Sequence, residues 1–468
     1  MRTSSIPSGV IIKNQLRFES NYYLNEHSFN SIIVEKMRDS CVLLSSIADV
    51  FNPTIFKRQF CRSTNNSVQY FQSSDITYAS ECSSIYVSKK QAESLNLLVR
   101  KHDILITGFG TIGNTRLVSK FQDGVCYANN VCRVRLNPNI YVGFIYAFLS
   151  SKFGFSQLNK NASGSVVRYI EAPGIKRTLI PNLCPDFQKE INELIIESAR
   201  LREEATANLF AAERMLKEKA NLPELTSELY DYYGPSDCQR KVSCFTRNIK
   251  DIGVTSLNAF NHSERIRNLK SSITCPSIPL KKALKGERTF GTSSLPNIEV
   301  KPGHGIMLIN QKDMFDNIVK GKWISSKGSK PENVVEYGEI LIACDGTLGE
   351  SELFCRAVFA NEDLTGSYVS SHFLRLKVNE KYMAGYLYCW LNSDYGFRLI
   401  RSTQSGTKIC HPINVLFLQI PVPLIDYESM VLIDNLVREA HTKRHQANQI
   451  EKKAINMVEQ KVYQLAVN

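Results

Sequence analysis

Residues 187–219 read FQKEINELIIESARLREEATANLFAAERMLKEK. The stretch holds no Gly and no Pro, and good helix formers fill most of it. Ile191, Leu194, Ser198, Leu201, Ala205, Asn208, Ala212 and Met215 recur at alternating steps of three and four. That is one continuous seam along a helix, the spacing of a coiled-coil partner face. A helix of this length spans about 50 Å, too long to be buried in one small core. The same rhythm returns from Tyr427 to about Leu465, in Ile433, Leu436, Ala440, Lys443, Ala447, Ile450, Ala454 and Met457. The two seams are offset by 242 residues in a chain of 468, so one unit is used twice.

Ahead of each helix the same series of short motifs runs in the same order. DILITGFGTIG (Asp103 to Gly113) is echoed by EILIACDGTLG (Glu339 to Gly349). Tyr127-Ala128-Asn129 is echoed by Phe359-Ala360-Asn361, and LSSKFGF (Leu149 to Phe155) by LNSDYGF (Leu391 to Phe397). Ser163-Gly164-Ser165 returns as Ser405-Gly406-Thr407, and Ile180-Pro181 as Ile420-Pro421. The offsets lie between 232 and 242, a spread that loop insertions would produce. Between the motifs, short β-rich runs such as DILIT and VCRVRL (Val131 to Leu136) alternate with Asn, Ser, Gly and Pro. The expected fold is α/β: two duplicated mixed α/β domains separated by two long antiparallel coiled-coil helices. The expected boundaries are a first domain at 1–185, a spacer helix at 186–222, a second domain at 223–425 and a second spacer helix at 426–468.

The formal net charge is +12. Residues 186–222 carry net −2 and residues 426–468 net zero, so the remainder carries +14. The helices are not basic and the globular parts are, which suits a polyanion such as DNA or RNA. No apolar run reaches membrane-spanning length, and the N-terminus lacks the ordered regions of a signal peptide, so a cytoplasmic location with no membrane partner is expected. The thirteen cysteines are scattered and form no C-x-x-C pair. Neither a zinc site nor a disulfide framework is suggested, and no cofactor is expected.

The chain lacks the usual signs of catalysis. Gly108 to Gly113 matches G-x-G-x-x-G after a strand, but the fingerprint needs a helix next, where a pyrophosphate meets its N-terminus. Here the next residues, NTRLVSK, are β-prone, and the duplicate puts Cys344 in place of the first Gly. A strand, a tight glycine turn and a return strand account for both copies, serving either as a structural hairpin or as a slim loop close to a phosphate backbone. His441 and His445 share a helix face, but no third ligand is evident, so two solvated histidines are expected. No P-loop and no Asn/Asp-Pro-Pro-aromatic methyltransferase loop occurs. The chain reads as a binding protein whose chemistry is supplied by partners.

In the order of these features the chain resembles the specificity subunits of type I restriction-modification systems. DILITGFGTIG, YANN, LSSKFGF, SGS, IPNL and the helix after Phe187 carry the resemblance in the first half; EILIACDGTLG, FANE, LNSDYGF, SGT, IPVP and the helix after Tyr427 carry it in the second. The resemblance implies two target-recognition domains, each reading half of a bipartite site in double-stranded DNA, on long helices that act as a spacer. It implies as partners two methyltransferase (modification) subunits and a restriction or translocase subunit, with no catalysis in this chain. Asp345, Glu350 and Glu362 are acidic for such loops, and the region from Tyr230 to Ser256 is longer than a simple connector. The competing reading is a two-domain interaction scaffold, or a regulator of a methyltransferase, with no DNA role.

Phosphate contacts should come from Lys and Arg and base reading from loops. The candidates in the first half are Gly110, Thr111, Gly113, Arg116, Asn129, Asn130, Lys160, Ser165, Arg168 and Arg177. Those in the second are Lys327, Lys330, Gly346, Thr347, Gly349, Asn361, Arg401, Gln404, Thr407 and Lys408. Antiparallel helices with small seam residues would approach closely, leaving Glu193, Glu197, Arg200, Glu203 and Glu204 for solvent or a partner.

Overall fold

The computed structural model describes residues 8–13, 26–162, 168–225, 245–252, 255–292, 295–349 and 351–467. The chain is mixed α/β and divides into two compact units, Met1–Glu203 with Gln446–Asn468, and Glu204–His445.

In the first unit a six-residue helix, Ser8–Lys13, precedes helix α1 (Glu26–Lys36). Its strands are β1 (Cys41–Leu43), β2 (Ala48–Phe51), β3 (Phe60–Cys61), β4 (Ser67–Phe71), β5 (Tyr86–Ser88), β6 (Ile104–Thr107), β7 (Thr115–Leu117), β8 (Cys126–Tyr127), β9 (Val131–Leu136) and β10 (Leu179–Pro181). One sheet runs β2-β9-β6-β7 and another β3-β5-β4-β8, while β1 pairs with β10. The β4–β8 pair is parallel and the rest are antiparallel. All four residues of β6 are buried, as an inner strand covered on both faces requires. After β9 come α2 (Val142–Ser150) and α3 (Lys152–Lys160), and after β10 the long helix α4 (Pro185–Lys219).

LSSKFGF is the corner between α2 and α3. Ser151 caps α3, its hydroxyl accepting the Gly154 N–H and donating to the Phe148 carbonyl at 2.6 Å. A Cβ on Gly154 would lie 2.2 Å from that same carbonyl oxygen, so only glycine fits the corner.

The second unit repeats this plan. Its elements are α5 (Glu264–Ser271), β11 (Ser277–Pro279), β12 (Ile306–Ile309), β13 (Lys322–Ile324), β14 (Ile340–Ala343), β15 (Ala357–Phe359), β16 (Tyr368–Val369), β17 (Phe373–Leu376), α6 (Ala384–Asn392), α7 (Asp394–Arg401), β18 (Gln404–Ser405), β19 (His411–Pro412), β20 (Pro421–Pro423) and the long helix α8 (Tyr427–Val467). β15-β14-β17 matches β7-β6-β9, the parallel pair β12–β16 matches β4–β8, and β11–β20 matches β1–β10. In place of β2, Phe290 exchanges both backbone hydrogen bonds with Arg375, at 2.8 and 3.0 Å. Ser393 caps α7 as Ser151 caps α3, and Gly396 stands where a Cβ would lie 2.1 Å from the Trp390 carbonyl oxygen.

Buried polar groups repeat as sets. Arg133 and Arg375 occupy equivalent positions on β9 and β17, and both are wholly buried. Arg133 donates to the carbonyls of Leu97, Tyr127, Ala128 and Val131. Arg375 donates to the carbonyls of Glu332 and Val334 and to the Glu339 carboxylate at 2.8 and 2.9 Å. Two residues on, Arg135 binds Asp103 and lies over the Phe51 ring. Lys377 does the same with Glu339 and Phe290.

The long helices complete both cores. In the first unit Ile191 and Ile195 of α4 and Ala454, Val458 and Val462 of α8 share a cluster with Phe144, Phe148 and Leu149. In the second, Ala212 and Leu216 join Ile433, Val437 and Trp390. Each wholly buried Ile or Val contributes about 1.5–3 kcal/mol. α2 and α6 dock on the long helices through a matched device: the Gly143 N–H donates to Asn192 Oδ1 at 2.8 Å, and the Gly385 N–H to Asp434 Oδ1 at 2.6 Å.

Within each unit the segments of α4 and α8 pair antiparallel. In the first unit the Ser198 hydroxyl donates to the Ala447 carbonyl at 2.8 Å, and Arg202 binds Asn448 and Glu451. In the second, Lys443 meets Glu204 at 3.0 Å while Lys219 meets Asp426 at 3.8 Å. The buried stripe holds Ser198, Ala205 and Ala212 on one helix and Ala440, Ala447 and Ala454 on the other, one small side chain per seven residues. Leu194, Met215, Leu436, Ile450 and Met457 flank it half-buried. Glu203 departs from the expected outer face: its carboxylate is buried, accepts the Lys120 N–H at 2.7 Å and pairs with Lys101.

Strand register corrects two of the motif equivalences. The connection from β14 to β15, residues 344–356, is six residues longer than that from β6 to β7, residues 108–114. Phe359-Ala360-Asn361 therefore matches Leu117-Val118-Ser119, and the place of Tyr127 to Asn130 is taken by Val369 to His372. Gly346 to Gly349 fall inside the longer loop. The turn position of Gly113, at φ +87°, is filled by Cys355 at φ +70°. The Ile420-Pro421 match is likewise out of step, since Val422-Pro423 holds the place of Ile180-Pro181.

Candidate nucleic-acid interface

In both units the inner strand of the sheet ends in a loop that meets two other chain segments. In the first unit that loop follows Thr107. The Gly108 N–H donates to the Asn130 carbonyl at 3.0 Å, and its own carbonyl accepts the Ile170 N–H at 2.8 Å. A Cβ on Gly108 would lie 2.6 Å from the Ile170 oxygen and 2.9 Å from the Asn130 oxygen, so the convergence requires glycine. Phe109 bridges to Tyr169, and their rings stack at 5.5 Å with both more than a third exposed. Gly110 and Thr111 form the exposed tip. Asn129 and Asn130 are half-buried, and the Asn130 amide donates to Ser73 at 3.3 Å. Arg168 is exposed beside Tyr169 and donates to the Asn159 carbonyl.

Of the first-half candidates, the structure thus gathers Gly110, Thr111, Asn129, Asn130 and Arg168 at one edge. β6 and β7 pair antiparallel on either side of the glycine loop, so it is a hairpin with no helix after Gly113. Gly113 itself is buried against Phe155 and Asn159. Lys160 is half-buried at the end of α3, and burial lowers its pKa. Arg177 is exposed behind the short helix Ala172–Lys176. Ser165 lies outside the described residues.

Arg116 is not at the surface. Its guanidinium is buried, donating to Gln122 and to the carbonyls of Asp75, Ile76 and Tyr78, with Glu81 at 4.0 Å. A phosphate could reach it only if those bonds broke.

In the second unit the Cys344 N–H donates to the His372 carbonyl at 2.9 Å, the counterpart of the Gly108–Asn130 bond. Gly346 bridges to Cys410, in the ladder register of Phe109 with Tyr169. Asp345, His372 and His411 therefore hold the places of Phe109, Asn130 and Tyr169. The Asp345 carboxylate takes a hydrogen bond from Nδ1 of each imidazole, and Gln311 holds its backbone carbonyl at 2.6 Å. Both imidazoles are more than half exposed. Thr407 and Lys408 are exposed at the tip of the β18–β19 hairpin, where Gly406 has φ +101°. Thr347 is exposed beside the half-buried Gly346 and Gly349. Lys327 and Lys330 are exposed between β13 and Asn333.

Three second-half candidates prove to be scaffold. Arg401 is wholly buried, donates to the carbonyls of Glu352 and Phe354, and lies 3.8 Å from the centre of the Phe397 ring. Asn361 is buried, its amide reaching the His441 carbonyl at 3.3 Å. Gln404 is buried, and its backbone carbonyl accepts from Asn261 at 2.9 Å. The expected pair of solvated histidines is also corrected. His441 is buried between Phe359 and Tyr388, and burial pushes its pKa well below the usual value; His445 pairs with Asp363 at 2.8 Å.

His372, His411, Phe109 and Tyr169 escaped the motif reading. The only sign in the sequence was Asp345, an acidic residue in a loop otherwise suited to DNA. Among the described residues no group of three or more His, Cys, Asp or Glu is placed to hold a metal ion, and no helix is long and apolar enough to cross a membrane.

No protein-family model and no curated protein matches the sequence. Among the solved structures similar to it is the type I restriction-modification system S subunit from M. genitalium. It is 14% identical, over 91% of this chain and 95% of that one, with a TM-score of 0.36. The HsdS subunit from Thermoanaerobacter tengcongensis is also 14% identical, over 91% and 95%, with a TM-score of 0.27. A chain from a structure of a type I R-M system is 16% identical, over 91% and 96%, with a TM-score of 0.27.

Proposed function

We propose that this chain is the DNA-recognition specificity subunit of a restriction-modification complex. Each half reads one part of a bipartite target in double-stranded DNA. The chain positions adenine methyltransferase subunits, and a nuclease partner where one is present, and catalyses nothing itself. The observation that carries this reading is the repeat. Two copies of one sheet-and-helix plan each bring a three-segment loop cluster to the surface at one strand end. The surplus of positive charge outside the long helices supports a polyanionic ligand for those clusters. The motif series and its order support the methyltransferase partnership.

Phosphate contacts are proposed for Lys160, Arg168, Arg177, Lys327, Lys330 and Lys408, with base reading in the loops around Gly110, Asn130, Gly346 and Thr407. The paired long helices are proposed to set the number of unread base pairs between the half-sites. The deciding experiment is methylome sequencing of strains with and without the gene. Loss of one bipartite methylated motif on deletion is the expected result. An unchanged methylome would leave the interaction scaffold as the better reading.

A further inference from the structure

Resting on the DNA-reading function proposed above, we infer that the trio Phe109, Asn130 and Tyr169 determines specificity in the first half and that Asp345, His372 and His411 do so in the second. These are topologically the same three positions. They sit where the loop after the inner strand, the segment before the next strand and a third segment converge. Around them the two copies keep their internal devices: serine caps, corner glycines, buried arginines, and the docking of a helix N-terminus on a long helix. At these three positions the chemistry is replaced outright.

The first trio offers a stacked aromatic pair and one amide. It suits apolar contact with a thymine methyl, while the Asn130 amide donates to Ser73 at 3.3 Å and holds its segment in place. The second offers two imidazoles held by one carboxylate. Asp345 accepts from Nδ1 of each ring, and both rings are more than half exposed. With Nδ1–H donated to a carboxylate, a neutral ring presents Nε2 as an acceptor, suited to the amino group of cytosine or adenine in the major groove. His372 and His411 are thus the readers, and Asp345 is a positioning residue that fixes ring tautomer and orientation.

The test is methylome sequencing of strains carrying wild type, His372→Gln, His411→Gln, Asp345→Asn, or Phe109→Leu with Tyr169→Leu. The histidine variants and Asp345→Asn should relax or change bases in one half of the bipartite motif only, with discrimination at the affected position falling about tenfold or more. The Phe109/Tyr169 variant should act on the opposite half only. The combined exchange Asp345→Phe, His372→Asn and His411→Tyr should move the second half-site toward the bases read by the first. A wild-type motif that is lost on gene deletion yet unaltered in all these variants would overturn this inference and leave the proposed function standing. No motif lost on deletion would overturn the function itself. Both imidazoles are more than half exposed, so the single histidine variants should keep the fold. Continued reading of the untouched half confirms it in the same data, and histidine variants that blur both halves equally would also refute the assignment.

Discussion

Arg401 separates a scaffold role from a DNA-contacting one, and the outcome can be sized from its surroundings. Its guanidinium gives Nε to the Phe354 carbonyl at 3.3 Å, and Nη2 to the Phe354 and Glu352 carbonyls at 3.0 and 3.2 Å. Replacing it by Met keeps most of the volume and removes every donor. Hydrogen bonds to a charged group contribute about 1.5–3 kcal/mol each, and the contact with Phe397 about 1–2 kcal/mol more. Relief from burying a charge offsets part of this. A net loss of about 2–4 kcal/mol is expected, a large share of a total of about 5–15 kcal/mol. Both tryptophans, Trp323 and Trp390, lie in the second unit, so urea unfolding followed by tryptophan fluorescence reports on that unit alone. At an m-value of about 2–3 kcal/mol per molar, the midpoint should fall by about 1 M. Lys408→Ala, at an exposed hairpin tip, should leave the midpoint unchanged while reducing the salt slope of DNA binding by about one unit. If Arg401→Met left the midpoint in place and lowered only the salt slope, the scaffold argument would be wrong.

Three further outcomes follow from the same geometry. Burial holds His441 neutral in the fold, whereas the unfolded chain takes up a proton near pH 6.5; stability should therefore fall as pH drops through and below about 6.5. That decline in the urea midpoint should be shallower in His441→Leu, and superimposable pH profiles would count against it. Gly385→Ala puts a Cβ 2.9 Å from the Asp434 carbonyl oxygen and should cost about 1–3 kcal/mol in the tryptophan transition, while Gly291→Ala, with nothing within 4 Å, should cost nothing measurable. Inserting one helical turn, about 5.4 Å, into both α4 and α8 should change the spacer of the methylated motif by one or two base pairs, and an unaltered spacer would refute the spacer role.

What the sequence made legible was whatever depends on local pattern. Ser151 with Gly154 and Ser393 with Gly396 carry both cap and corner in a few residues, so LSSKFGF and LNSDYGF align at the offset the structure has. The apolar runs of β6 and β14 and the seams of α4 and α8 are legible for the same reason. The seam was read one step away from its buried centre at Met215, where Leu216 is the buried residue. The Phe359-Ala360-Asn361 match misled because six residues inserted before β15 changed the offset midway. A short motif then aligned with the wrong strand end. Arg116 and Arg401 looked like surface cations because the features that bury them, backbone carbonyls turned inward by distant loops, leave no trace in residue type. The loop trios were missed for the complementary reason. Phe109 and Tyr169 meet only through a bridge between segments 60 residues apart.

The differences between the copies also bear on the acidic loop that sat badly with a DNA-facing role. Asp103 with Arg135 and Phe51 became Glu339 with Lys377 and Phe290: both partners changed, and the charge pairing and the ring beneath were kept. Asn192 against Gly143 became Asp434 against Gly385, again with the hydrogen bond retained and Arg438 placed beside the new carboxylate at 2.7 Å. The acid introduced at Asp434 thus arrives with its compensation. Asp345 follows the same rule, since its carboxylate lies between two imidazoles and not open to solvent as a bare charge. The charge of Asp345 is thus engaged by the two rings that it holds in place.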